Sequence, residues 1–103
     1  MNKKLSGCLA AALLVAATGA LASEDLAKSK NCLGCHTVDK KLVGPSYKDI
    51  AKRRASEKGA EAALAGKIMT GSKGEGGGPV MPANAAVSDA EAATLAKWIL
   101  TLK

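Results

Sequence analysis

The sequence predicts a small all-α domain, and three observations lead to this fold class. Four segments carry helix signals, no segment alternates apolar and polar residues over a useful length, and no motif repeats at a fixed period. The chain also has no Phe, one Tyr and one Trp. Because a domain this small buries only about 60% of its unfolded surface, its own side chains make a thin core and a large apolar group is needed to complete it.

Residues 1–22 are predicted to be a signal peptide that is cleaved after Ala22. A short basic start at 1–4 is followed by an apolar run at 9–21, and Ala20-Leu21-Ala22 has the small-x-small pattern of a cleavage site. A membrane anchor is the competing interpretation, but the run is shorter than the roughly 20 residues that span a bilayer. We therefore expect a periplasmic protein without a membrane anchor, consisting of one domain at 23–103, with Cys8 removed with the signal.

The first three helices are predicted from their end signals. The first covers about 24–33, with Ser23 as a possible N-cap and two acidic residues in its first turn. The second opens after the Pro-Ser pair at 45–46 and covers about 47–55. The third covers about 60–70 and ends at Gly71, a residue type that favours helix C-termini.

The end of the chain predicts a loop and then a fourth helix. Five of the eight residues at 71–78 are Gly and two Pro residues flank position 81, so no helix runs through 71–84. Ser88 and Glu91 form a capping box that starts a helix reaching the chain end. One face of this helix is apolar and is expected to pack against the first helix; it carries Leu95, Trp98, Ile99 and Leu102.

A Cys-x-x-Cys-His motif at 32–36 is typical of covalent attachment of a c-type haem. The thiols of Cys32 and Cys35 add to the haem vinyl groups, and their spacing places both sulfurs on one side of a helical turn. His36, the only histidine of the chain, then coordinates the iron. A thioredoxin-like redox motif expects a preceding strand and a structural zinc site needs a fourth ligand, so haem is the favoured interpretation.

The sixth iron ligand decides between an electron carrier and a haem that binds or activates small molecules. A thioether is the remaining candidate, and residues 23–103 contain Met69 and Met81. Met69 lies in the third predicted helix, where methionine commonly fills a core. Met81 follows the glycine-rich loop and is predicted to be the ligand. A methionine ligand raises the reduction potential and closes the site to substrates.

Four segments resemble the short bacterial class I cytochromes c: 31–36 (NCLGCH), 43–50 (VGPSYKDI), 78–84 (GPVMPAN) and 95–99 (LAKWI). The similarity is greatest to those that donate electrons to periplasmic nitrite reductases and terminal oxidases, and it covers essentially all of residues 23–103. It implies four helices wrapped around one covalent haem c, with His36 and Met81 as the axial iron ligands.

The resemblance also implies the contacts that support these ligands. The carbonyl of Pro45 accepts a hydrogen bond from the second ring nitrogen of His36, as expected of a partner that fixes the imidazole. Asn84 holds the Met81 sulfur, and Lys67 approaches a haem propionate. Trp98 packs the last helix on the first.

Two positions depart from the family pattern. Many members carry an aromatic residue in place of Ala27 and a tryptophan near a propionate in place of Gly76. Their absence predicts a wetter haem edge and a less stable fold.

The charge of the chain gives information mainly about the kind of partner it could bind. The chain has 15 basic and 9 acidic residues, a balance that gives no case for nucleic-acid binding. Basic side chains either encircle the haem edge and steer acidic partners or solvate the surface without a pattern. Those that are candidates for the first role are Lys28, Lys30, Lys40, Lys41, Lys48, Lys52, Arg53 and Arg54.

The predicted function is that of a periplasmic, monomeric electron carrier and not of an enzyme. Its donor would be a quinol-oxidising complex, and its acceptor a reductase or terminal oxidase. A haem-based sensor or peroxidase-like protein with an open distal site is the alternative, although the chain has no second histidine to serve as a distal base. A third possibility is an electron-entry module dedicated to one enzyme.

Overall fold

The structure, a computed structural model, describes residues 23–73 and 78–102. Helix α1 covers residues 23–29 of this part, and a 3-10 turn follows at Cys32–Gly34. Helices α2, α3 and α4 cover Tyr47–Arg53, Ala60–Thr70 and Asp89–Leu100. The described residues form no strand, only two isolated antiparallel bridges. The all-α prediction is confirmed, whereas the predicted signal peptide lies outside the described residues.

The prediction that the first helix continues to position 33 is wrong. Helix α1 ends at residue 29, and Asn31 adopts a left-handed conformation with φ 62° and ψ 19°. A left-handed residue cannot continue a right-handed helix, and Asn is among the few residue types that tolerate it. The chain restarts as a 3-10 turn in which the amides of Cys35 and His36 both donate to the Cys32 carbonyl, at 3.3 and 3.0 Å. The two cysteines therefore lie on a separate short turn.

Helix α2 begins where predicted and ends earlier. The Ser46 hydroxyl accepts from the Asp49 amide at 3.1 Å and so caps the N-terminus. The helix ends at Arg53 rather than near 55, because Arg54 leaves helical geometry and its carbonyl accepts from the Glu57 amide at 3.1 Å in a turn.

Helix α3 has the predicted bounds. It ends at Gly71, whose φ of 89° suits glycine, and the Gly71 amide donates to the Lys67 carbonyl at 2.8 Å.

Helix α4 starts with the predicted capping box. The Ser88 hydroxyl accepts from the Glu91 amide at 3.1 Å, and Glu91 Oε1 accepts from the Ser88 amide at 3.0 Å. The bond from the Ser88 amide, together with the Ser88 hydroxyl and the nearby Lys30 ammonium, holds the pKa of Glu91 below its ordinary value. A negative charge at a helix N-terminus is stabilising, so this carboxylate supports the start of α4.

The core lies where α4 packs against α2 and α3. Many of its members are small, and Leu95 is the only large side chain among the described residues that is fully buried. Trp98 meets Tyr47 edge to face, with ring centroids 5.4 Å apart. Ala27 of α1 belongs to the same cluster and is 0% exposed. Position 76 lies outside the described residues.

No helix in the described part of the chain is both long and apolar enough to cross a bilayer.

The capping box predicts an acid dependence of stability. Since folding lowers the pKa of Glu91, its contribution to the free energy of unfolding is complete above the unfolded pKa of about 4.3 and is lost as pH falls through the folded value. Glu91→Gln should therefore lose less stability than wild type between pH 7 and pH 3, measured by chemical denaturation. Parallel losses in the two proteins would contradict this role.

Candidate functional site

A cavity of about 970 Å³ opens beside the core, between α2, α3, α4 and the segment around position 81. This volume is at the upper end of the roughly 300–1,000 Å³ that small-molecule and cofactor sites occupy. The structure brings all seven sequence-predicted site residues to its lining: Cys32, Cys35, His36, Pro45, Lys67, Met81 and Asn84. The wall between them is largely apolar and includes Tyr47, Ile50, Leu64, Ile68, Leu95 and Ile99.

The His36 imidazole is oriented by a backbone carbonyl. Its Nδ1 lies 2.8 Å from the Pro45 oxygen. Because a carbonyl only accepts, Nδ1 carries the proton and donates, and in the neutral ring Nε2 keeps its lone pair. This is the contact that the family resemblance implies, and it prepares Nε2 to coordinate a metal.

Gly44 allows the imidazole to lie against the backbone. A Cβ at this position would lie 2.5 Å from His36 Cε1 and 2.8 Å from Nδ1, so any larger residue displaces the ring. The Gly44 amide also donates to the Cys35 carbonyl at 2.8 Å. Sequence reasoning missed this residue, since a glycine before a proline signals only a turn.

The Tyr47 ring also packs against the imidazole. The two rings stack with centroids 5.4 Å apart and planes 22° apart, and Tyr47 is only 3% exposed. Burial, and secondarily the neighbouring Cys32, raise the pKa of Tyr47 well above its usual range, so the hydroxyl stays neutral. The sequence indicated this residue only as the start of α2.

No disulfide joins the two cysteines of the motif; Cys32 is half-buried and Cys35 is exposed. Burial raises the pKa of Cys32, and a hydrogen bond with Tyr47 opposes this in part. A thioredoxin-like site requires a lowered thiol pKa, so Cys32 does not have the electrostatics of that alternative. Among residues 23–73 and 78–102, no group of three or more His, Cys, Asp or Glu side chains is placed to hold a metal ion.

Met81 is held by its backbone. It exchanges two hydrogen bonds with Ser72, at 2.9 and 2.8 Å. Gly71 permits this pairing, since a Cβ there would lie 2.8 Å from the Met81 carbonyl oxygen. Met69 packs against the core and is not among the residues that line the cavity.

The Asn84 side chain has two described partners, and neither is the Met81 sulfur. Its Nδ2 donates to the Lys30 carbonyl at 2.8 Å, and its Oδ1 accepts from the Ala86 amide at 3.2 Å. An amide carries a second N–H, so the bond to sulfur stays a prediction. The contact to Lys30 was not foreseen.

The cavity lining also includes basic side chains and exposed apolar ones. Five basic residues line the cavity. One is Lys67, and the other four are among the basic residues singled out from the sequence: Lys30, Lys41, Arg53 and Arg54. Arg53 and Arg54 face Asp49 and Glu57 at 2.8 Å each, so part of this charge is neutralised. The nearby side chains of Val43 and Val80 are 48% and 70% exposed.

These residues fit a covalently attached haem. Two thiols, an imidazole nitrogen and a thioether are the groups that attach and ligate a c-type haem, and all line one cavity of sufficient volume. The apolar wall suits the porphyrin, and Lys67 lies in the lining of the same cavity.

The close packing of Gly44 on His36 predicts that a larger residue at this position lowers the stability of the protein. Gly44→Ala should lower the free energy of unfolding of the holoprotein by about 1–3 kcal/mol, the usual effect of overpacking. Gly66→Ala is the matched control, because a Cβ there meets nothing within 4 Å in an exposed helix interior. It should stabilise by about 0.5–1 kcal/mol. Equal effects in chemical denaturation would refute the steric role of Gly44.

Comparisons with known proteins agree with this site. The family model described as cytochrome c matches residues 20–103. Cytochrome c-552 of Nitrosomonas europaea is 53% identical over 97 residues, which cover 94% of each chain. Cytochrome c-551 of Pseudomonas aeruginosa is 55% identical over 80 residues, covering 78% of this chain and 76% of the relative.

Solved structures show the same fold. The crystal structure of wild-type Nitrosomonas europaea cytochrome c552 aligns with a TM-score of 0.75 and 55% identity, covering 78% of this chain and 99% of the other. The class 1 cytochrome MtoD of Sideroxydans lithotrophicus aligns with a TM-score of 0.65 and 34% identity, covering 79% and 92%. The chain therefore belongs to the cytochrome c family, as a small class I member with one covalently bound haem c.

Proposed function

We propose that this protein is a periplasmic electron carrier in which His36 and Met81 are the axial iron ligands and Cys32 and Cys35 form the thioethers. One observation carries the proposal: a single cavity gathers the only histidine of the chain, one of the two methionines after residue 22 and both cysteines of the motif. The two relatives described above are both named as cytochromes c, which supports a carrier and not an enzyme.

The haem iron supplies the reversible one-electron change. The chain determines the conditions under which that change takes place. The Nδ1 bond to Pro45 keeps His36 in one orientation and one tautomer. A Met81 thioether favours the reduced state and raises the potential. With both axial positions held by side chains, substrates are excluded and little has to move when the electron arrives.

The proposed location follows from residues 1–22. Their basic start, short apolar run and small-x-small end are the features of an exported precursor. The family model begins at residue 20 and so covers the proposed mature domain, 23–103. Haem attachment through two thiols is compatible with an exported chain.

The basic and exposed apolar residues of the cavity lining support brief contacts with acidic periplasmic redox partners. Exposed Val43 and Val80 lie beside the basic residues of the lining. A small apolar contact surrounded by charge suits weak electron-transfer encounters, and positive charge raises the association rate more than the lifetime. We expect the protein to act as a monomer. Its donor would be a quinol-oxidising complex, and its acceptor would be a reductase or terminal oxidase.

Replacing the proposed distal ligand tests this function. Ferric holoprotein, purified from the periplasmic fraction, should show the sulfur-to-iron charge-transfer band, and its ferrous form should not bind carbon monoxide. Met81→Ala should lose the band and bind carbon monoxide, because the sixth position opens. Met69→Leu should behave as wild type, since Met69 packs against the core. Ready binding of carbon monoxide by the wild type would favour a sensor or peroxidase-like protein instead.

A further inference from the structure

Three side chains connect the segment after α1 with the segment before α4 and with the first turn of α4. Lys30 Nζ donates to the Ala86 carbonyl at 2.9 Å and lies 3.5 Å from Glu91 Oε2. At the other end of the same residue, the Lys30 carbonyl accepts from Asn84 Nδ2 at 2.8 Å. We call this group, Lys30, Asn84, Glu91 and the Ala86 carbonyl, the Lys30 clasp.

Each partner of Lys30 is fixed by a further contact. Glu91 Oε1 accepts from the Ser88 amide at 3.0 Å, which leaves Oε2 for the ammonium. Asn84 Oδ1 accepts from the Ala86 amide at 3.2 Å, which holds the side chain and the Ala86 peptide together. The Lys30 and Glu91 side chains are 23% and 33% exposed. The clasp is thus preorganised and partly shielded from water, which favours its charged hydrogen bonds.

Two members of the clasp, Asn84 and Ala86, follow Met81 closely in the chain. The Met81 backbone is anchored to Ser72 by its two hydrogen bonds. Three residues later Asn84 is anchored twice, by its amide to the Ile68 carbonyl at 3.0 Å and by its side chain to Lys30. Met81 is therefore held between two anchors, its own pairing with Ser72 and the bonds of Asn84. The clasp contributes the side-chain bonds of the second anchor.

We propose that Lys30 is a positioning residue that, through the clasp, keeps Met81 at the haem iron and sets how fast an external ligand can replace it. The inference rests on the proposed function of Met81 as a ligand. An external ligand reaches the iron only while the Met81 segment is locally open, and the open population rises as the contacts that close the segment are removed. A weaker clasp therefore means faster displacement of methionine.

Imidazole binding to ferric holoprotein tests the proposal. Lys30→Met keeps the apolar stem and removes the donor, and should bind imidazole about tenfold faster than wild type, as expected for the loss of a charged hydrogen bond. Lys30→Arg retains a cation and donors and should restore a rate near that of wild type. Lys97→Met removes an equal charge from an exposed position of α4 and should leave the rate within about twofold.

A second variant keeps the test decisive if Lys30→Met fails to mature. Glu91→Gln retains an acceptor for the Ser88 amide but removes the ion pair with Lys30 and the negative charge at the start of α4, so a rise of about two- to threefold is expected. Unchanged rates in both variants, or an equal rise in Lys97→Met, would overturn the clasp. If the wild type lacks the sulfur-to-iron charge-transfer band, the proposed function of Met81 fails instead, and the two failures are thereby distinguished.

Discussion

The shortage of large buried side chains is the constraint on which the rest of this structure depends. Among the described residues, five of the buried apolar residues of the core are alanines, and Leu95 is the only large side chain that is fully buried. Helices α2, α3 and α4 place several apolar side chains around a cavity of about 970 Å³, among them Ile50, Leu64 and Ile99. A domain of this size has little stability to spare, so the covalent haem of the family acts as part of the core as well as the redox centre.

Backbone groups hold the two proposed axial residues. The Pro45 carbonyl orients His36, and the Ser72 backbone pairs with Met81. Glycines make both approaches possible, because Gly44 and Gly71 lie where a Cβ would collide with the imidazole or with the Met81 carbonyl. Rigid geometry at both positions suits electron transfer, which proceeds best when little rearrangement accompanies the change of charge.

Much of the fold followed from local signals. Gly71 predicted the end of α3, and the capping box at Ser88 predicted the start of α4. Both signals act within one turn of the helix. The first helix was predicted too long, since nothing in the composition around Asn31 distinguishes a left-handed residue from a helical one. The motif at 32–36 predicts the attachment site by its fixed spacing.

The remaining features depend on contacts that sequence does not reveal. Lys30 meets Ala86 across 56 positions and Asn84 across 54. The stacking of Tyr47 on His36, and the fit of Gly44 beneath the same ring, arise only once the loop after the motif is folded back. A single sequence shows that these residue types are present, but the distances between them are set by the assembled fold.

The most direct test of this account compares the holoprotein with a Cys32→Ala/Cys35→Ala variant purified without haem. If haem completes the core, the variant should show no cooperative thermal transition and little near-ultraviolet circular dichroism from Trp98, whereas the holoprotein should show both. A cooperative transition with native-like near-ultraviolet dichroism in the haem-free variant would contradict the account.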